Sequence, residues 1–478
     1  MIKVLILLSL YLQLIASDSN STTEIITLEE DSLFHAKRES GLSVHEALNR
    51  AIELSPSMKA AYHVVVQDKQ KVQEAWAGHL PAVNISGDLG FETRQFAGDV
   101  SSEKFKTPIE QSTTYKKTDL YMTISENLYS GGSVENSIDE KEANLNASLY
   151  DYRDKLEKIV VDVTTAYFNV VYDEIALKIS LKNMQNYKKI LNIVSIKEKN
   201  GAATKGDVNF IKANVDNAMT ELIQKQKKLS DSLAKYVYLV QTQEDDKLPF
   251  EISTELMYAQ DLNTSLFQAD EKNAKILKQK AYIKATAFAL LGTKGDFSPK
   301  INLAINAETR DEYDIGLGKR EKVNALVTFS YNLYNGGKDE AKAIRYLAKI
   351  EEQKYIYQDL KRNIAFDIKV LHNSVTSLSN SLQLTQSEVL AARKVVKSYW
   401  LSFQNGTQDL QALQLAQRNL NRAEQDYASY KKGFIINNFV IMRKTGTLLK
   451  NLSLSYKKNS DDFQAKKLHL LHSYEDLK

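Results

Sequence analysis

The side chains that most often carry chemistry are sparse in this sequence, and none of them forms a known catalytic or metal-binding pattern. The chain has no cysteine, which excludes thiolate catalysis, disulfides and cysteine-ligated zinc. No nucleophile elbow, P-loop or dinucleotide fingerprint occurs. No pair of histidines four residues apart with a carboxylate partner occurs among His35, His45, His63, His79, His372, His469 and His472. The sequence therefore predicts no enzyme, no resident metal and no cofactor.

Polar residues cluster instead around two glycines that lie 205 positions apart, in KEKNGAATKGD and in SFQNGTQDLQ. Each group follows a long stretch free of glycine and proline, so we predict that each lies at the tip of a helical hairpin. Ordinary helix capping by threonine and aspartate explains part of the composition, and contact with another protein is compatible with capping. The tip residues are Asn200, Gly201, Thr204, Asp207, Asn405, Gly406, Thr407 and Asp409.

Two long helices must position these tips. The sequence has no glycine or proline between Gly132 and Gly201, or between Gly337 and Gly406. Apolar residues recur there at alternating spacings of four and three, which is typical of a coiled-coil seam. Asp173 and Ser180 interrupt this seam, and the sequence does not explain them. A second amphipathic helix follows each tip, so each stretch predicts a long α-hairpin.

A repeated motif marks the other end of each long helix. NLYSGG ends at Gly132 and NLYNGG ends at Gly337. Before each motif, apolar and polar residues alternate in two segments, which predicts two strands with one apolar face. We therefore place strand-to-helix junctions at Gly131, Gly132, Gly336 and Gly337, where glycine permits an abrupt change of direction. One opening helix is predicted ahead of each strand pair, over residues 43–78 and 262–295.

Composition and charge fit a secreted protein with long elements. The net charge is +3 with both signs mixed along the chain, so no basic stripe for nucleic acid is present. MIKVLILLSLYLQLIAS has the form of a signal peptide. The predicted organisation is a signal peptide at 1–17, a polar extension at 18–41, a first repeat of helix, two strands and α-hairpin at 42–248, a second repeat at 249–449 and a polar tail at 450–478.

Four strands in one chain are too few to close a barrel, because small closed sheets need about eight. Strands that are apolar on one face are typical of outer-membrane barrels, and open sheet edges are not tolerated in lipid. The chain must then oligomerise, and three copies would supply twelve strands. The predicted fold class is an α+β membrane protein: a trimeric 12-stranded β-barrel, four strands per chain, continued by a long α-helical coiled-coil barrel, with an internal duplication.

The order and spacing of these segments resemble the TolC family of outer-membrane export proteins. The resemblance lies in the strand–NLYxGG–helix junctions, in TTAYFNVVYDEIAL at 164–177, in NG-x₅-D at 200–207, and in GLSVHEALNRAIELSPSMKAAYHVVVQDKQKVQEAWAGHLPAVNIS at 41–86. It covers about residues 42–449. No single motif is specific, but their order, doubling and spacing together are. The absence of cysteine matches the unlipidated members.

The resemblance implies a homotrimer in the outer membrane that extends into the periplasm. It implies an exit duct for multidrug efflux or type I protein secretion, with a periplasmic adaptor (membrane fusion) protein and an inner-membrane transporter as partners. The hairpin tips are then the tunnel entrance and the site of adaptor docking. Some members narrow this entrance with acidic residues. The matching region here holds no acidic residue, and its constriction candidates are Gln411, Ala412, Gln414 and Leu415.

Other functions stay open at this stage. A pore-less periplasmic coiled-coil scaffold protein would explain the helices but not the alternating strands. A stand-alone diffusion pore would explain the strands but not hairpins of such length. Whether the exported substrate is a drug or a protein does not follow from the residues.

Overall fold

The computed structural model describes residues 42–95, 112–241, 261–312 and 318–452. The signal peptide, the polar extension and most of the C-terminal tail therefore lie outside the described residues. Nine α-helices and four strands are described, and the chain is an α+β protein, as predicted. In chain order they are α1 (Val44–Leu54), α2 (Pro56–Trp76), β1 (Ala82–Gln95), β2 (Ser112–Tyr129), α3 (Ser133–Lys199), α4 (Lys205–Val240), α5 (Leu262–Lys272), α6 (Ala274–Gly292), β3 (Lys300–Glu312), β4 (Gly318–Ser330), α7 (Lys338–Gln404), α8 (Leu410–Thr445) and α9 (Leu448–Asn451).

The two halves of the chain have matching helices. Helices α3 and α7 each contain 67 residues, and α4 and α8 each contain 36. At about 1.5 Å per residue, each long helix spans roughly 100 Å. The equal lengths and the common spacing of 205 residues between Ser133 and Lys338 are what an internal duplication would produce.

The predicted single opening helices are wrong, because each is divided into two. Pro56 begins α2, and Ser55 before it has a non-helical ψ of 117°, since proline disfavours a helical residue ahead of it. The second opening segment, residues 262–295, contains no proline, and Asn273 makes the break there. Its side chain accepts hydrogen bonds from the N–H groups of Lys275 and Ile276 and so starts α6. Short 3₁₀ helices at Ala77–His79 and Thr293–Phe297 then lead into β1 and β3.

The four strands form one antiparallel sheet in the order β1-β2-β3-β4. The sheet keeps the predicted alternation. One face carries polar rows such as Thr123, Asn306 and Asn324, which are linked by 3.0 Å hydrogen bonds. The other face exposes large apolar side chains, among them Phe91 at 82% and Val323 at 76%. β4 ends at Ser330, before the second junction motif, whereas β2 continues to Tyr129 within the first motif.

The core is built on α3. The middle part of α3, residues 156–179, packs with α1, with the end of α4 and with the end of α8, around the fully buried side chains of Tyr167, Tyr172 and Tyr236. A second apolar cluster near the tips joins Met184, Tyr187 and Ile190 of α3 with residues of α4, α7 and α8. None of the helices in the described part of the chain is long and apolar enough to cross a membrane.

Candidate functional site: hairpin tips and strand-to-helix junctions

The first tip is a tight turn closed by a capping box. Gly201 has a φ of 76° and its N–H donates to the carbonyl of Glu198 at 2.9 Å. The Asp207 N–H donates to the Thr204 hydroxyl at 3.1 Å, and the Thr204 N–H donates to the Asp207 carboxylate at 2.9 Å. The backbone hydrogen bond from Thr204 lowers the pKa of Asp207, so this side chain is a carboxylate at neutral pH. Asn200 is exposed beside the turn.

The second tip reaches the same shape with different residues. Gly406 has a φ of 77°, and the Asp409 carboxylate accepts the N–H of Ala412 at 2.7 Å to begin α8. Thr407 instead ends α7, since its N–H and its hydroxyl both donate to the carbonyl of Ser402, at 2.9 and 3.1 Å. Asp409 therefore occupies the position of Thr204, and no acidic residue matches Asp207.

The two tips lie together at one end of the protein. The Lys197 ammonium donates to the carbonyl of Phe403 at 2.8 Å and lies 4.1 Å from the centre of its ring. Phe403 is buried with Leu413 and Ile211 in the apolar cluster near the tips. Phe403 belongs to the predicted seam, but no signal in the sequence pairs it with Lys197, which is 206 residues away.

The four constriction candidates do not share one environment. Gln411 and Leu415 are exposed, and Ala412 is half-buried. Gln414 is buried, and its side-chain carbonyl accepts a hydrogen bond of 3.1 Å from Asn214 on α4. Gln414 thus faces the first hairpin in this chain, and the other three remain available on or near the surface.

Further polar pairs join the two hairpins along α8, from Gln414 in the direction away from the tips. Gln417 bonds Asn183 at 3.2 Å, and Gln425 bonds Lys225 at 3.1 Å. Near the end of this row, the buried Asp173 accepts a 2.6 Å hydrogen bond from Ser232 and lies 3.4 Å from the ammonium of Lys432. These contacts explain the interruption of the seam at Asp173. Ser180 is fully buried, and its hydroxyl has no hydrogen-bond partner among the residues that the structure describes.

The glycine pairs of the junctions adopt the left-handed backbone conformation that favours glycine. Gly131 and Gly132 have φ values of 65° and 78°, and Gly336 and Gly337 have values of 62° and 77°. Gly132 and Gly337 each stand directly before a 67-residue helix. The junctions and the tips are thus the two ends of the same helices. Within the described ranges, no group of histidine and acidic residues is arranged to hold a metal ion.

A family comparison decides what this architecture is. The family model described as "Outer membrane efflux protein" matches residues 47–235 and 266–440. The chain belongs to the outer membrane efflux protein family. Membership confirms the resemblance to TolC-like proteins and the predicted location in the outer membrane with an extension into the periplasm. The family consists of channel proteins rather than enzymes, and the chain is an outer-membrane efflux channel rather than a pore-less scaffold.

Solved structures share the fold of this efflux protein at low sequence identity. The CmeC outer membrane channel of Campylobacter jejuni has a TM-score of 0.71 at 13% identity, over 94% of this chain and 97% of that one. VceC of Vibrio cholerae has a TM-score of 0.71 at 14% identity, over 84% and 96%. MtrE of Neisseria gonorrhoeae has a TM-score of 0.71 at 14% identity, over 90% and 98%. No curated protein matches the sequence.

Proposed function

We propose that this efflux protein is the passive exit duct of a tripartite export system. Three copies join their sheets into a 12-stranded barrel in the outer membrane, and their helices form one periplasmic tunnel. A periplasmic adaptor (membrane fusion) protein docks at the hairpin tips, and an inner-membrane transporter supplies the energy. The exported substrate is a drug if the system is a multidrug efflux pump, or a protein if it is a type I secretion system. A passive duct can serve either system.

The sheet carries this proposal. Its apolar face is exposed on the strands at both edges, with Ile85 at 70%, Leu89 at 77% and Phe329 at 65%. Its other face holds ion pairs and hydrogen bonds, including Lys117 with Glu92 at 3.2 Å. Among the described residues, no strand pairs with the outer side of β1 or of β4. A sheet with one apolar face, one polar face and two open edges is stable in lipid only when other copies close it around water.

The tips are proposed as the adaptor site because they are exposed and lie at the ends of the long helices that are farthest from the sheet. The Asp207 carboxylate accepts the N–H of Thr204, and the Asp409 carboxylate accepts the N–H of Ala412, so both charges are held in place. We also propose that Gln411, Ala412 and Leu415 narrow the entrance, whereas Gln414 holds α8 against α4. A constriction formed by these three residues has no acidic side chain and would be less selective for cations than an acidic constriction.

Charge reversal at the tips tests the docking proposal. The Asp207→Lys and Asp409→Lys variants are expected to abolish export, because they oppose the fixed charge that the adaptor meets. The matched controls Asp207→Asn and Asp409→Asn keep a side-chain oxygen for the helix cap and should retain most export. Export is measured as substrate released by cells, and assembly as oligomer recovered from outer membranes. Full export by both lysine variants at normal assembly would contradict docking at the tips.

A further inference from the structure

Four charged residues form one row across the polar face of the sheet. On β1 and β2, Asp88 lies opposite Asp119. On β3 and β4, Arg310 lies opposite Arg320, and Asp119 lies opposite Arg310 where the two pairs meet. Asp119 shares its face with Thr123 of the same strand, because alternate residues of a strand point to the same side. The row thus has an acidic half on β1 and β2 and a basic half on β3 and β4.

The row lies away from the helices. On β2, β3 and β4 it is nearer to the loop ends of the strands than to the ends that lead to or from the helices. In a barrel whose helices extend into the periplasm, this position is in the outer half of the lumen, close to the exit.

Contacts on the polar face hold the two central members of the row in place. The Asp119 side chain is only 2% exposed, accepts a 2.8 Å hydrogen bond from the Tyr121 hydroxyl and lies 3.5 Å from the Lys117 ammonium. The Arg310 guanidinium forms an ion pair with Glu308, and its Nε lies 4.0 Å from the Asp119 carboxylate. The two charges therefore have fixed positions on this face.

The two outer members of the row have no counter-charge in the described part of the chain. Asp88 and Arg320 are exposed, and neither forms an ion pair there. Lys322, which follows Arg320 on the same face of β4, is also exposed and forms no ion pair with a described residue. Uncompensated negative charge thus lies at one end of the row, and uncompensated positive charge at the other.

The order of the four charges is unfavourable for the sheet itself. Like charges that lie directly opposite each other on antiparallel strands repel, and both Asp88 with Asp119 and Arg310 with Arg320 are such pairs. Exchanging Asp119 with Arg310 would place opposite charges at every step of the row. The observed order therefore costs stability that the fold does not require, and such costs are typical of functional positions.

We propose that the four residues of this row form a ring of charges around the lumen, here called the exit ring, which favours the passage of solutes that carry charged groups of both signs. The inference rests on the oligomeric barrel proposed above, and it adds the chemical class of solute that the duct admits best. Rings of charged side chains select among ions in other channels.

The grouping of like charges decides how far the field of the ring extends. Neighbouring strands lie about 4.8 Å apart, so in three copies the observed order repeats every four strands, or roughly 19 Å, whereas an alternating order would repeat every roughly 10 Å. The potential of a repeating charge pattern fades over a distance proportional to the repeat, so the observed order extends about twice as far into the lumen. A solute with an ammonium and a carboxylate can contact both halves of the row at once.

Exchanging the two central charges tests whether their order matters. The variant D119R/R310D keeps the number of charges but makes the row alternate, and it should not lower the melting temperature. Swelling of proteoliposomes at low ionic strength compares the zwitterion glutamine with arabinose, a neutral sugar of similar size. The ratio of the two rates should fall about twofold in the variant, while the arabinose rate stays the same.

Single neutralisations test whether the ring lines the conducting path. In a planar lipid bilayer with a potassium chloride gradient, Asp88→Asn should raise the permeability of chloride relative to potassium, and Arg320→Gln should lower it, each by about twofold. Glu321→Gln is the matched control and should leave this ratio unchanged. Glu321 is exposed beside Arg320, but it belongs to the opposite face of β4.

The outcomes separate the exit ring from the duct. A conducting pore whose ion permeability is unchanged by both neutralisations would overturn the ring and leave the barrel standing. An equal preference for glutamine in the unmodified and exchanged proteins would also overturn the ring. If D119R/R310D does not assemble, D119N/R310Q replaces it with the same expectation and the same contrary result. An unmodified protein that forms no conducting pore would overturn the duct, and the ring with it.

Discussion

The carboxylate of Asp173 on α3 lies 3.4 Å from the ammonium of Lys432 on α8, and this ion pair joins the two hairpins of the chain. Only 4% of the Asp173 side chain and 19% of the Lys432 side chain are exposed. Burial lowers the pKa of Lys432, and the nearby carboxylate opposes that shift. Each charge therefore offsets part of the cost of burying the other, and Asp173 also receives the hydrogen bond from Ser232 and lies 3.5 Å from the more exposed ammonium of Lys228.

Replacing one partner should destabilise the protein, whereas replacing both should not. Asp173→Leu leaves Lys432 without its nearest carboxylate and is expected to cost roughly 3 kcal/mol. The double variant D173L/K432M should recover most of that loss, because apolar side chains of similar size suit a buried site. The measurement is thermal or denaturant unfolding followed by helical circular dichroism. If the single and double variants lose the same stability, the contribution of Asp173 does not come from its ion pair with Lys432.

The sequence predicts the regular parts of this fold because they depend on local signals. The glycine turns at Gly201 and Gly406 and the lengths of the long helices follow from the absence of helix breakers between widely spaced glycines. The role of Asp173 does not follow, since its partner Lys432 is 259 residues away. The burial of Gln414 is equally non-local. Which side of α8 faces α4 is decided by the packing of one hairpin on the other, and an α8 sequence considered alone carries no signal of it.

A second buried carboxyl group, that of Glu157, makes the folding stability depend on pH. Burial raises the pKa of Glu157 from 4.5 to about 7, even though Arg153 lies 2.9 Å away. Because the pKa of Glu157 is higher in the folded state, its protonated form contributes to the free energy of unfolding. This contribution is fully present below pH 4.5 and is lost as the pH rises through about 7. The difference is on the order of 3 kcal/mol.

The Glu157→Gln variant should flatten the fall in stability between pH 4.5 and pH 7, because its amide does not ionise. It should be more stable than the unmodified protein at pH 8 and similar to it at pH 4.5. Melting temperatures across this range provide the measurement. Glu135→Gln is the control, since Glu135 is exposed in the first turn of the same helix. A pH profile unchanged by Glu157→Gln would contradict the assignment.

The contact between Lys197 and Phe403 should determine how firmly the two tips are held together. Lys197 provides both a 2.8 Å hydrogen bond to a carbonyl and a cation–π contact at 4.1 Å, and Phe403 is already fixed by the apolar cluster beneath it. Lys197→Met keeps an unbranched apolar side chain but removes both contacts, with an expected local loss of about 1–2 kcal/mol. The rest of each helix is stabilised by its own packing contacts, so the melting temperature of the protein should change little. Faster amide hydrogen exchange confined to residues 198–207 and 402–410 is the expected result. The control is Lys199→Met, two residues further along at an exposed position, which should leave amide exchange unchanged. If the two variants show equal exchange, the tips are held together by the apolar cluster alone.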